Sequence, residues 1–198
     1  QEMLIPGVTW VPLAALPPND AERLFHTDLQ TRGIIIDKVP QALIDHLGGN
    51  PLYIRYVAGA LWSGGLRDED YWASYVQDVA EGGLYHYFAS TLKALIVDSD
   101  ERDQALELLH RIYDANDAVP EDRPSKGLRA GKLSKEIVHA LLNAGYLRGE
   151  FGGFRAPDDR VMRDFIGILY EREIAGKSLV EIQKDFLEQR LPSRRTGV

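Results

Sequence analysis

Apolar positions along the chain repeat mostly with the period of a helix, and the breaks between runs fall at glycine and proline. Ala21, Leu24, Phe25 and Leu29 recur at i, i+3, i+4 and i+8 after a cap at Asn19 or Asp20, and Gly33 ends that helix. The β-branched run Ile34-Ile35-Ile36 is too short for a strand of its own and is expected to plug into a core between helices. Pro40 sits in the first turn of a helix through Leu47, where a missing N–H costs nothing, and Gly48-Gly49 closes it. Asn50-Pro51 restarts the chain, with Leu52, Tyr53, Val57, Ala60 and Leu61 on the side expected to be buried. Asp68-Glu69-Asp70 opens a further helix, its acids at the positive end of the helix dipole.

Gly82-Gly83 reads as a boundary. Beyond it, helices are predicted from about Leu84 to Val97, from about Glu101 to Tyr113, and from Ser134, a capping residue, to Asn143. A polar loop from Asn116 to Gly131 separates the last two. Tyr146-Leu147-Arg148 and Phe154-Arg155-Ala156 flank Gly152-Gly153 as a hairpin. Asp158 or Asp159 then caps a helix carrying Val161, Met162, Phe165, Ile168 and Leu169, and a last amphipathic helix runs from about Leu179 to Gln189 before the basic tail Arg190 to Arg195. At the other end, Val8 to Leu13 has the composition of a short strand. The expected fold is therefore mainly α. It divides into a strand or linker over 1–17, a four-helix bundle over 18–81, a winged helix-turn-helix with a short β-hairpin over 82–175, and a terminal helix and tail over 176–198.

The stretch Gly48-Gly49-Asn50-Pro51-Leu52-Tyr53-Ile54, preceded by Val11-Pro12-Leu13 and Leu16-Pro17, resembles the lid of P-loop ATPases of the STAND/AAA+ (archaeal) kind. Lids of that family carry a G-x-P or G-G-N-P turn followed by an apolar helix, and a winged helix follows in the same element order. The resemblance implies that Gly49, Asn50 and Pro51 face ATP or ADP held by a core domain outside this chain, with Arg55 the nearest basic residue. It also implies a regulatory role, with the winged helix docking on that core or on a protein partner. The same turn has a purely structural reading, with glycine as C-cap and proline in the next first turn.

No G-x-x-x-x-G-K-[ST] loop is present to cradle phosphates, and no apolar strand ends in paired acids that could hold magnesium. This chain by itself is thus expected neither to hydrolyse ATP nor to hold the nucleotide. Five histidines without an H-x-x-x-H pair give no metal site, and cysteine is absent. Asp98-Ser99-Asp100 with Asp103 lacks the mid-loop glycine of a calcium loop and reads as helix-capping acids. The aromatics between Tyr53 and Phe88 lack interleaved Lys or Arg, so they read as core and seam rather than a base-stacking platform.

A net charge of −7 argues against non-specific nucleic-acid binding by the whole surface. A local basic face remains as the alternative function, a DNA-binding transcription regulator. Lys132 and Lys135 open the candidate recognition helix, His139 lies on it, and Arg148 and Arg155 flank the wing. No apolar run is long enough for a membrane span, no signal peptide opens the chain, and a cytoplasmic protein is expected.

Overall fold

A computed structural model describes residues 15–36, 38–62, 67–115, 119–120, 133–150 and 153–191. The predicted strand Val8 to Leu13, Lys132, most of the Asn116 to Gly131 loop and the tail beyond Leu191 lie outside those residues. The architecture is mainly helical: α1 (Pro18–Gln30), α2 (Gln41–His46), α3 (Pro51–Ala60), α4 (Asp68–Glu81), α5 (Gly83–Leu95) and α6 (Ser99–Ala115) are followed by β1 (Val119–Pro120), α7 (Lys135–Asn143), β2 (Arg148–Glu150), β3 (Gly153–Arg155), α8 (Arg160–Glu173) and α9 (Leu179–Arg190).

Helix starts follow local chemistry. Asn50 accepts the Leu52 N–H at 3.0 Å, Ser134 accepts that of Ile137 at 3.3 Å, and Asp159 accepts that of Met162 at 2.9 Å. At α1 the chain uses Pro18 in the first turn after Pro17, and neither Asn19 nor Asp20 acts as the cap. Two C-termini are closed from a distance by guanidinium groups. Arg32 donates to the carbonyls of Ala58, Gly59 and Leu61 at the end of α3, and Arg172 donates to Ala80 at 2.8 Å at the end of α4. Each places a cation at the negative end of a helix dipole.

The sheet is small and antiparallel, in the order β1-β3-β2, with Arg148 opposite Arg155 and Val119 opposite Phe154. The predicted hairpin is present as β2 and β3. The two-residue strand β1 lies inside the stretch read as loop, because two residues are too few to show an alternation.

One buried apolar cluster runs through both halves, from Phe25, Leu43 and Ile54 through Tyr75 and Phe88 to Leu141, Phe165 and Ile182. Phe88 stacks on Phe165 with centroids 5.0 Å apart, and Tyr53 packs against Phe88 at 5.8 Å. At Gly82-Gly83 the two helices meet at a tight corner and not a loose linker. A Cβ on Gly83 would fall 2.2 Å from the Tyr56 ring, and one on Gly82 would fall 2.2 Å from the Asp78 carboxylate. Asp78 caps α5 there, accepting from the Gly83 and Leu84 N–H groups at 2.7 and 3.2 Å. Two expected core positions turn outward. Ile35 is 80% exposed while Ile34 and Ile36 pack on the core, and Leu52 is 38% exposed.

Candidate functional site

The α2–α3 turn is built on two consecutive left-handed glycines, Gly48 at φ +61° and Gly49 at φ +68°. This reversal carries Asn50 and Pro51 to the lip of a cleft of about 660 Å³. One wall comes from Asp45 to Gly48 and Asn50 to Tyr53; the opposite wall is the start of α8, with Asp158, Asp159 and Arg160, and Tyr87 adds an aromatic edge. The outward turn of Leu52 has its explanation here, since it lines this opening.

Of the four residues that the resemblance singles out, Asn50 and Pro51 line the cleft. Gly49 does not; it lies beneath the incoming chain, where its carbonyl accepts the Leu16 N–H at 2.8 Å. A Cβ on Gly49 would sit 2.3 Å from the Leu16 carbonyl oxygen, so glycine is required for the close approach as well as for its φ. Arg55 is also outside the cleft. It lies 68% exposed on the far side of α3, 3.7 Å from Asp28 of α1.

Two hydrogen-bonded links join α3, and α2 with α4, to α8 and its cap beside the cleft. Tyr53 donates to Asp159 Oδ2 at 2.7 Å. His46, 3% exposed, has its Nε2 2.6 Å from Asp164 Oδ2, and Tyr75 donates to the same oxygen at 2.7 Å. Arg190 of α9 reaches Asp164 Oδ1 at 3.2 Å and lies over the rings of Trp72 and Phe186. Burial, then the neighbouring carboxylates, hold the Tyr53 and Tyr75 hydroxyls well above the usual phenol range, so both remain donors. Periodicity marks His46 only as the last position of a short helix. Its partner stands 118 residues away, and nothing in the sequence pairs them.

Lys135 and His139 lie exposed one turn apart on α7, and Arg148 and Arg155 share a rung of the hairpin. Gly176-Lys177-Ser178 repeats the end of a phosphate loop, yet its side chains are engaged locally. Lys177 is held by Glu171 and Asp185 at 3.0 and 2.9 Å, and Ser178 caps α9. Among the described residues no group of three His, Cys, Asp or Glu is placed to hold a metal ion, and no helix is long and apolar enough to cross a membrane. Comparison of the chain with protein-family models, curated proteins and solved structures gave no match.

Proposed function

We propose that this chain is the regulatory C-terminal region of a STAND/AAA+-like P-loop ATPase, a helical lid joined to a winged helix. The observation that carries this reading is the cleft. Gly48, Asn50 and Pro51 of the turn that resembles a nucleotide-facing lid border a concave site. The other wall of that site belongs to α8, so a ligand there touches both halves of the molecule. The winged-helix assignment is supported by α6, β1, α7 and the β2–β3 hairpin in that order, with β3 central in the sheet. In this reading ATP or ADP, held by the core domain, is sensed at the turn, and the links from His46 and Tyr53 to α8 transmit its presence as a hinge-type switch.

The test begins with the residues encoded directly upstream of Gln1. A phosphate loop and an acidic strand are expected there within a domain's length, roughly 150–200 residues. Their absence sinks the proposal. In that longer chain, Pro51→Gly is expected to weaken ATP binding severalfold without unfolding the lid.

A second reading, DNA binding, is favoured by one feature. Arg148 and Arg155 stand opposite each other on the β2–β3 hairpin, which brings two of the basic residues flanking the wing to one place. Duplex binding at low salt that falls steeply with added salt, and is lost in the double variant Arg148→Ala/Arg155→Ala, would establish it. No binding at low salt removes it.

A further inference from the structure

His46 is buried and hydrogen-bonded on one side, yet it also borders the cleft. Its Nε2 is occupied by Asp164 and Tyr75. Its Nδ1 has no hydrogen bond within the described residues. No side-chain nitrogen or oxygen among those residues is both sealed from solvent and without a partner. Nδ1 is therefore not sealed from solvent, and the cleft is the open space that His46 lines.

The network orients the ring. A carboxylate only accepts, so Nε2–H donates to Asp164, and of the two neutral tautomers the one that fits this bond carries its lone pair at Nδ1. Tyr75 and Arg190, both on Asp164, hold that carboxylate in place. The rest of the wall is also rich in acceptors. Among the described residues, Asp45, Asp158 and Asp159 line it against the single cation Arg160. Asp159 is engaged by Tyr53 and Met162, whereas Asp158 has no ion pair or hydrogen bond among the described residues. Such a surface matches a ligand that brings N–H or O–H donors, and its acidity sets it against the phosphate end of a nucleotide.

We propose that His46 is the specificity-determining residue of this cleft, its Nδ1 accepting a hydrogen bond from an amino group of the ligand. The inference rests on the nucleotide reading above, in which that group is the exocyclic amine of adenine. A 6-oxo purine would instead set a carbonyl lone pair against the Nδ1 lone pair, so the cleft selects aminopurines. Asp164 is then a positioning residue, acting through the tautomer it imposes. Every described lining residue of the cleft belongs to this chain, so a nucleoside, which lacks the phosphates that the core would hold, is the probe.

The experiment is a titration of the 198-residue chain, labelled with ¹⁵N at histidine, with adenosine and separately with inosine. The expected result is an unprotonated Nδ1 on His46 that moves with adenosine and not with inosine, while His26, His86, His110 and His139 stay still. Adenosine should bind roughly tenfold more tightly, the worth of one hydrogen bond against an unmet acceptor. Asp164→Asn, confirmed folded by circular dichroism, should bring the two affinities together, because an amide no longer dictates the tautomer. Equal binding of the two nucleosides, or adenosine binding that leaves His46 unmoved, overturns the role of His46 and leaves the nucleotide reading standing. No response of any cleft residue to either nucleoside overturns the role of His46 as well, while the nucleotide reading stands or falls on the residues upstream of Gln1. The titration of the unmodified chain decides between these outcomes even where the variant does not fold.

Discussion

Gly49 and Gly33 both have positive φ, at +68° and +74°, but their surroundings differ. Gly33 has open space where a Cβ would go, whereas Gly49 has the Leu16 backbone 2.3 Å away. Gly33→Ala should therefore cost about 1 kcal/mol, the strain of the left-handed conformation alone. Gly49→Ala should cost about 3 kcal/mol, since the backbone of Leu16 must also move. Urea denaturation of the two variants checks the difference, and equal losses would mean that Leu16 yields freely. At Asp78, burial raises the carboxyl above its usual range, against the pull of the Gly83 and Leu84 N–H groups. The folded state thus holds that proton more tightly than the unfolded chain, so ionising Asp78 lowers stability as pH rises through its folded value. Asp70 and Glu181 have the opposite sign. Hydrogen bonds from Arg67 and Ser178 lower them, and their contribution is present above the ordinary carboxyl range and lost in acid.

Among the elements, α9 is short on apolar anchoring. Ile182 is its one buried residue among the described ones, and it relies on its ends. Ser178 and Glu181 form a reciprocal capping box, and Lys177 ties the preceding turn to Glu171 of α8 and Asp185 of α9. Ser178→Ala is expected to lower stability by about 1 kcal/mol. Local opening should be largest in α9, visible as faster amide exchange there than in α4 or α8. Uniform exchange across the three helices would refute that. These helices were legible because caps, glycine stops and 3.6-residue periodicity are local properties. Asn50, Ser134 and Asp159 announce their helices in three residues. The α1 cap was misplaced because Pro18 in the first turn displaced the start by a residue or two. Half of the candidate site was legible for the same reason, the Gly48–Pro51 turn being contiguous. The α8 wall, His46 and the inward role of Gly49 depend on contacts far apart in sequence, which periodicity does not encode.

Across the whole molecule, five of the described tyrosines are buried with their hydroxyls donating to fixed acceptors, Tyr71 to the Lys38 carbonyl at 3.2 Å and four others to carboxylates and carbonyls. Tyr53 and Tyr75 reach Asp159 and Asp164, Tyr113 reaches the Tyr146 carbonyl, and Tyr146 reaches the Phe88 carbonyl. Burial raises these four above the usual phenol range. The stability they contribute is complete below the unfolded phenol value near pH 10 and is lost above it, where the unfolded chain gives up protons that the folded one keeps. Each such tyrosine adds a slope of about 1.4 kcal/mol per pH unit. Alkaline unfolding should be steep, with tyrosinate absorbance appearing together with the loss of helical circular dichroism. Gradual ionisation of all nine tyrosines before unfolding would contradict the buried assignments.

The caps and pairs that reach across the chain also set a timetable for its synthesis. The ribosome releases His46 118 residues before Asp164, and the Ala80 carbonyl 92 residues before Arg172. At ordinary elongation rates of roughly 5–20 residues per second, the histidine waits about 6–24 s for its carboxylate. For that interval His46 has no carboxylate to bond, and the face of α2 that meets α8 stays uncovered until α8 emerges.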